Sequence, residues 1–139
     1  MWFDLAREFT ERWHHQQQIR DATGRPALYE PYFLAPVLDT FVRALPYHFR
    51  QTVASAGTLV RLEIFGEAGG VWFLHRMDQG WSLVSESTKA PAADVILSQD
   101  IAWRLFTRGV DRRKARAAAI IRGDAYLAAP IFTATAIIG

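Results

Sequence analysis

Three apolar runs in the middle of the chain predict an antiparallel β-sheet. They span residues 58–65, 71–77 and 81–86, and the first alternates apolar and charged positions as Val60-Arg61-Leu62-Glu63-Ile64, the period-two pattern of a half-buried strand. The loops that join the runs contain glycines, which can adopt the positive φ angles that hairpin turns need. A fourth apolar run at 94–97 follows a polar loop. We therefore predict an antiparallel meander with a fourth strand added.

Helical periodicity precedes the predicted sheet. Between residues 2 and 22 apolar residues recur at helical spacing and predict an amphipathic helix, which Gly24 and Pro26 should end. The apolar stripe of this helix consists of Trp2, Leu5, Ala6, Phe9, Trp13 and Ile19. A second amphipathic helix is predicted from Pro36, and Pro46 either kinks it or opens a third segment.

After the predicted sheet, short polar residues mark further helix starts. Ser98 is a good N-cap for one helix, Asp111 begins a short basic helix, and Asp124 caps a last apolar helix. Pro130 should kink or end that last helix. Residues 118–122 lie between the second and third of these helices and are predicted to pair as a fifth strand.

Together these elements predict an α+β fold with about five, mostly antiparallel, strands covered by helices. At 139 residues, half of them hydrophobic, the chain is long enough for one well-buried core. Residues 57–139 are expected to form the α+β domain. Residues 1–56 are expected to form a helical N-terminal extension of the same compact unit.

Composition limits the classes of function. Sixteen basic and 14 acidic residues leave a formal charge of +2, which does not indicate nucleic acid by itself. The absence of cysteine excludes a disulfide framework, a thiolate metal site and a cysteine nucleophile, and suits a reducing compartment. Asp4 stands where a signal peptide needs basic residues, and no apolar run approaches the ~20 residues of a membrane span. We expect a cytoplasmic protein.

The order of motifs after Gly66 carries a family resemblance. A glycine-tryptophan strand pair leads to Pro91-Ala92-Ala93-Asp94, then to a helix with Trp103, a basic stretch, and Gly123-Asp124-Ala125-Tyr126-Leu127-Ala128. This order resembles the sterol carrier protein type 2-like fold. More specifically, it is similar to the C-terminal domain of the mycothiol-dependent maleylpyruvate isomerase family.

A second motif lies in the first predicted helix and its end. The run Glu-Arg-Trp-His-His-Gln-Gln-Gln-Ile-Arg-Asp-Ala-Thr-Gly-Arg-Pro at residues 11–26 resembles the last helix of the DinB-type metal-binding bundle that precedes this domain in the same family. In such relatives a metal, usually zinc, is held by a histidine of an early bundle helix and by the motif residues that are Glu11 and His15 here. The earlier helices and their histidine are absent from this chain. The resemblance therefore implies the accessory domain with one bundle helix, and not a complete isomerase.

Glu11 and His15 are also chemically sensible metal ligands in their own right. They stand four residues apart and so share one helical face, and a carboxylate and an imidazole both bind zinc. This face lies opposite the predicted apolar stripe. The alternative interpretation is therefore a solvated acidic face, and two ligands alone do not make a site.

A basic stretch is the strongest charge feature of the chain. It consists of Arg104, Arg108, Arg112, Arg113, Lys114 and Arg116. We interpret Arg112, Arg113 and Arg116 as candidates for binding an anion, such as the phosphates of a coenzyme A thioester or a lipid head group. The alternative is a solvated helical face. Nucleic acid is not expected, because no aromatic residue is interleaved with these charges to stack on bases.

Aromatic residues of the predicted α+β domain form a candidate apolar pocket. The set is Trp72, Phe73, Trp81, Trp103, Phe106 and Phe132, with further apolar residues of the tail such as Ile137 and Ile138. An apolar cavity can hold an alkyl chain without specific polar contacts, but an ordinary core has the same composition. His75 lies in the middle of a strand and is expected to be packed or hydrogen-bonded rather than catalytic.

The sequence thus predicts a non-catalytic, sterol carrier-like module that binds a small hydrophobic molecule, a lipid or a partner protein. No cofactor is expected. The alternative is a metal- and thiol-dependent isomerase or transferase, or one subunit of it, with zinc held at Glu11 and His15 and the site completed by another chain. That chain would be a second copy or a separately encoded metal-binding bundle. The stripe of the first helix either folds back on the sheet or meets the same stripe of a second copy, and we expect a homodimer.

Overall fold

The structure of the chain is a computed structural model. In the part that it describes, helices cover one face of a five-stranded sheet. The structure describes residues 2–24, 31–107 and 110–134. Along the chain the elements are α1 (Trp2–Thr23), α2 (Pro31–Val42), α3 (Leu45–His48), β1 (Leu59–Phe65), β2 (Gly70–Arg76), β3 (Trp81–Val84), β4 (Ala93–Ser98), α4 (Gln99–Phe106), α5 (Arg112–Ala118), β5 (Ile120–Gly123) and α6 (Ala125–Thr133). The predicted α+β class is confirmed.

The sheet has the strand order β3-β2-β1-β4-β5. The pairs β1–β2, β2–β3 and β4–β5 are antiparallel, whereas β1 and β4 are parallel. The predicted meander with an added strand is therefore confirmed, and the sheet is mixed. The connection between β3 and β4 crosses from one edge of the meander to the far side of β1, which places β1 at the centre.

The two faces of the sheet differ in character. On the face that the helices cover, Val60, Leu62 and Ile64 of β1 are buried, as are their register partners in β4 and Leu74 of β2. On the outer face, the Arg61 guanidinium donates to the carboxylates of Glu63 and Asp94 at 2.7 and 3.0 Å. These hydrogen bonds, of which the one to Glu63 has the largest effect, raise the pKa of Arg61 despite its partial burial. The alternation seen in the sequence thus separates an apolar face from a charged one.

Helix starts follow the predicted caps. The side chains of Ser98, Asp111 and Asp124 accept hydrogen bonds from backbone N–H groups in the first turns of α4, α5 and α6, which satisfies donors that a helix start otherwise leaves unpaired. Pro130 lies inside α6. The predicted start of the second helix at Pro36 is wrong, since α2 already begins at Pro31 and contains Pro36.

Helix α1 packs on other helices of its own chain. Trp13 is buried and meets Trp103 of α4 edge to face, with 5.3 Å between ring centroids. At its C-terminal end, Asp21 accepts hydrogen bonds from the Arg104 guanidinium. Burial is the largest single effect on the pKa of Arg104 and lowers it, but the hydrogen bonds and charge interactions with Asp21 and Asp100 together outweigh burial, so the pKa is raised.

The predicted apolar stripe of α1 is partly wrong. Phe9 and Ile19 are 38% and 41% exposed, whereas Thr10, Trp13 and Gln17 are buried. Thr10 and Gln17 tolerate burial because each hydrogen-bonds along the helix, Thr10 to the Ala6 carbonyl and Gln17 to the Asp21 carboxylate. The contact face of α1 is therefore more polar than the spacing of its apolar residues indicates. The side chains of Trp2 and Leu5 lie outside the described part.

We expect Trp103→Ala to lower the free energy of unfolding by about 3–5 kcal/mol, because it removes a large buried ring and leaves a cavity against Trp13. Urea unfolding followed by circular dichroism measures this change. Gln18→Ala on the exposed side of α1 is the control and should cost less than ~1 kcal/mol. Equal losses in the two variants would contradict the packing of α1 on α4.

Candidate ligand-binding site

A cavity of about 550 Å³ lies among α4, α5 and α6. Its apolar wall is formed by Leu105, Val110, Phe132 and Ala134, and its polar rim by Asp111, Arg112 and Arg113. The volume falls within the range of roughly 300–1,000 Å³ typical of small-molecule sites. The cavity thus brings an apolar surface and two guanidinium groups to one place.

The start of α5 positions the polar rim. The Asp111 carboxylate accepts a hydrogen bond of 2.6 Å from the Arg113 backbone N–H and so starts the helix. Ala115 is the buried residue of α5, and its small side chain lets the helix lie close to the layer beneath. Arg112 and Arg113 remain exposed. Both guanidinium groups can therefore meet an anion from solvent.

Helix α6 supplies the largest group of the apolar wall. Leu127, Ala128, Ile131 and Phe132 are its buried residues, spaced so that they share one helical face. The Arg116 guanidinium lies 5.4 Å from the centroid of the Phe132 ring, within the range of a cation–π contact. Arg116 therefore supports the aromatic wall instead of lining the cavity.

The predicted tryptophans of the strands join the sheet to the part of the chain that precedes it. The Trp81 ring lies 5.1 Å from that of Phe49, and its Nε1 donates to the Thr52 carbonyl at 3.2 Å. Trp72 lies on the same covered face and its Nε1 donates to the Asp39 carboxylate at 3.3 Å. Both rings thus have structural partners away from the cavity among α4, α5 and α6.

The other predicted aromatic residues lie apart from one another. Phe73 lies on the outer face of the sheet, opposite to Trp72, where its register partners are Arg61 and Val84. Trp103 and Phe106 are buried in α4, and Phe106 meets the ring of Phe41 in α2 at 5.8 Å. Of the six predicted aromatic residues, Phe132 is the one that lines the cavity among the described residues.

Sequence reasoning missed much of the apolar wall. Leu105, Val110 and Ala134 are small or aliphatic and lack a chemical signature, although the first two lie within a few residues of Asp111. Their proximity to the basic stretch is the signal that could have indicated them. Arg108, Ile137 and Ile138 lie outside the described residues.

The predicted metal ligands lie on the solvent side of α1. Glu11 and His15 are both exposed. Across residues 2–24, 31–107 and 110–134, no three histidine, aspartate or glutamate side chains are grouped as a metal ion would need. Within that part of the chain the two predicted ligands therefore find no third.

His14 faces inward beside them. Its ring lies 6.0 Å from that of Trp103. Burial lowers the pKa of His14, and the neighbouring His15 lowers it further. His14 is thus held in its neutral form to a lower pH than an exposed histidine.

Comparison with known proteins identifies the fold. Neither a known sequence family nor a curated protein matches the chain. Among solved structures, sterol carrier protein domain 2 of Helicoverpa armigera matches with a TM-score of 0.51 and 13% identity over 68% of this chain and 81% of that one. Apo sterol carrier protein 2 from Yarrowia lipolytica gives a TM-score of 0.51 and 16% identity over 73% and 88%. The chain therefore has a sterol carrier protein 2-like α+β fold, as predicted.

Each helix that the structure describes is too short or too polar to cross a bilayer.

The lowered pKa of His14 predicts a pH-dependent stability. Below the ordinary histidine pKa of about 6.5, the unfolded chain binds a proton that the folded chain resists. The free energy of unfolding should therefore fall as the pH drops through 6.5 toward the folded-state pKa of His14. Urea unfolding at a series of pH values should give a shallower slope in this window for His14→Gln. Identical slopes would contradict the assignment.

Proposed function

We propose that this chain is a non-catalytic carrier-type module that binds a small hydrophobic molecule with an anionic group. The observation that supports it is the cavity in which Phe132 and Leu105 lie beside Arg112 and Arg113. The fold neighbours named as sterol carrier proteins favour a hydrophobic ligand over a purely polar one. A coenzyme A thioester and an anionic lipid both have the required chemistry.

The two halves of the cavity would make different contributions. Each methylene that leaves water contributes about 0.8 kcal/mol, so the apolar wall supplies affinity without fixing the chain of the ligand. Guanidinium groups recognise carboxylate or phosphate through paired, charge-assisted hydrogen bonds. Arg112 and Arg113 would therefore orient the ligand, with its head at the rim and its tail along Phe132.

We further propose a relationship to the mycothiol-dependent maleylpyruvate isomerase family. Residues 57–139 would correspond to its C-terminal domain, and residues 1–56 would include the last helix of its metal-binding bundle. The motif of residues 11–26 supports this assignment. Because Glu11 and His15 are exposed on α1, ligands from another chain could reach them, which keeps a shared zinc site and a thiol-dependent isomerase or transferase as the second candidate function.

The exposed side of α1 supports a homodimer. Phe9 and Ile19 remain partly exposed there, while Trp13 is already buried within its own chain. A twofold contact between two copies of α1 would remove these side chains from water. The same surface could instead meet a separately encoded metal-binding bundle.

Two twelve-carbon ligands, each competing with a fluorescent fatty acid, test the carrier proposal. We expect dodecanoate to displace the fluorescent fatty acid cis-parinaric acid from the protein. The double variant Arg112→Gln/Arg113→Gln should weaken dodecanoate roughly tenfold or more, because the carboxylate loses its charged partners. Binding of dodecanol, which has no charge, should hardly change. Fluorescence titration measures both affinities.

A control tests whether the loss of a cation elsewhere in the chain also weakens binding. Arg122→Gln removes one cation from β5, away from the cavity, and should leave the affinity for dodecanoate unchanged. Equal weakening by Arg122→Gln, or dodecanoate that fails to bind the parent protein, would contradict the proposal.

Native mass spectrometry on protein purified without added metal tests the second candidate. The carrier proposal predicts a metal-free dimer that His15→Ala leaves unaltered in mass apart from the substitution. Stoichiometric zinc that disappears in His15→Ala would instead favour the isomerase or transferase and overturn the non-catalytic assignment.

A further inference from the structure

A second cavity, of about 400 Å³, lies on the outer face of the sheet. The sheet contributes Leu59, His75 and Val84, and the connection between β3 and β4 contributes Glu86, Ser87, Thr88 and Lys89. It is separate from the cavity among α4, α5 and α6 and shares no lining residue with it. The function proposed above does not use it.

The strand register explains the floor of this outer cavity. His75 pairs with Leu59 on one side and with Ser82 on the other. Val84 follows Ser82 by two residues and therefore lies on the same face. Leu59 is only 3% exposed although it belongs to the outer face, and it lines the cavity together with Glu86 to Lys89 of the connection.

The connection also contributes two residues of opposite charge, Glu86 and Lys89, to the lining of this cavity. The Ser87 hydroxyl accepts a hydrogen bond of 3.2 Å from the Lys89 backbone N–H and shapes the turn. The Lys89 ammonium reaches back toward the start of β1, since its Nζ lies 3.5 Å from the position that a Cβ on Gly57 would occupy. Glu86 lies on the rim of the same cavity.

These polar groups have no partners among the described residues. Neither the Lys89 ammonium nor the Glu86 carboxylate forms an ion pair there, with each other or with a third group, and the His75 imidazole makes no hydrogen bond there. A purely anionic ligand would meet the Glu86 carboxylate and a purely cationic one the Lys89 ammonium. The combination is complementary to a molecule that carries both charges.

We propose that the outer cavity binds a free α-amino acid with an apolar side chain. The Glu86 carboxylate accepts hydrogen bonds from the amino group of the ligand. The Lys89 ammonium pairs with the carboxylate of the ligand, and the His75 imidazole offers it a further donor. The apolar side chain of the ligand lies on Leu59 and Val84.

Three probes that share the side chain of leucine test whether the ligand needs both charges. L-Leucine carries both charges, 4-methylpentanoate lacks the amino group and 3-methylbutylamine lacks the carboxylate. Titrations of the ¹⁵N-labelled full chain, followed by amide chemical shifts, should show leucine binding with perturbations at Ser87, Thr88 and Lys89. Each single-charge analogue should bind about tenfold more weakly or worse, having lost one charge-assisted contact.

Two variants and one control complete the experiment. Lys89→Met and Glu86→Gln should each weaken leucine about tenfold, whereas Lys114→Met, which removes the other lysine of the chain from α5, should not. Exposed positions are substituted in each case, so the fold persists and the shifts of the remaining amides report it.

Three outcomes would overturn the proposal. The first is the absence of shifts in the outer cavity at about 10 mM leucine, a concentration at which even a site of millimolar affinity is occupied. The second is equal binding of the three probes. The third is an equal effect of Lys89→Met and Lys114→Met on leucine binding. Any of them would mean that Glu86 and Lys89 are simply solvated charges.

Discussion

The need to keep one face of the sheet out of water governs the rest of this structure. Val60, Leu62 and Ile64 of the central strand are almost completely buried, and each such side chain contributes roughly 1.5–3 kcal/mol when it leaves water. Helices from both ends of the chain converge on this face to cover it. The outer face of β1 carries Arg61 and its carboxylate partners instead. Both cavities arise at the margins of this arrangement, one within the helical layer and one where a connection folds over the outer face.

Local patterns in the sequence indicated most of the elements. Strands were predictable because alternation in β1 reflects burial on a single face, and helix starts because Ser98, Asp111 and Asp124 bond their own first turns. Such signals act over a few residues. The contact between Trp13 and Trp103 joins residues far apart in the chain, and no local pattern revealed it. For the same reason the exposure of Phe9 did not follow from its spacing.

The residues that line the candidate site could be predicted only in part from local sequence patterns. The sequence singles out Arg112 and Arg113 because charge clusters are visible in it, and Phe132 because it is an aromatic residue of an apolar segment, and all three line the same cavity; their role in binding stays a prediction. Grouping Phe73 with Trp72 in one pocket overlooked the alternation of side chains along a strand, which sends neighbours to opposite faces. The aliphatic part of the cavity wall has no signature of its own. Its place depends on how three helices meet, which is a property of the tertiary structure.

The parallel pairing of β1 with β4 also has a consequence for the order of events in folding. Residues 66–69 connect β1 and β2 in a hairpin, whereas β4 pairs with β1 although β2 and β3 lie between them in the sequence. Contacts between distant segments form slowly, and synthesis on the ribosome delivers the N-terminal half first. The meander can therefore assemble early, while the cavity among α4, α5 and α6 has no complete wall until Phe132 has emerged from the exit tunnel. Until that moment a nascent chain has the sheet but not the cavity.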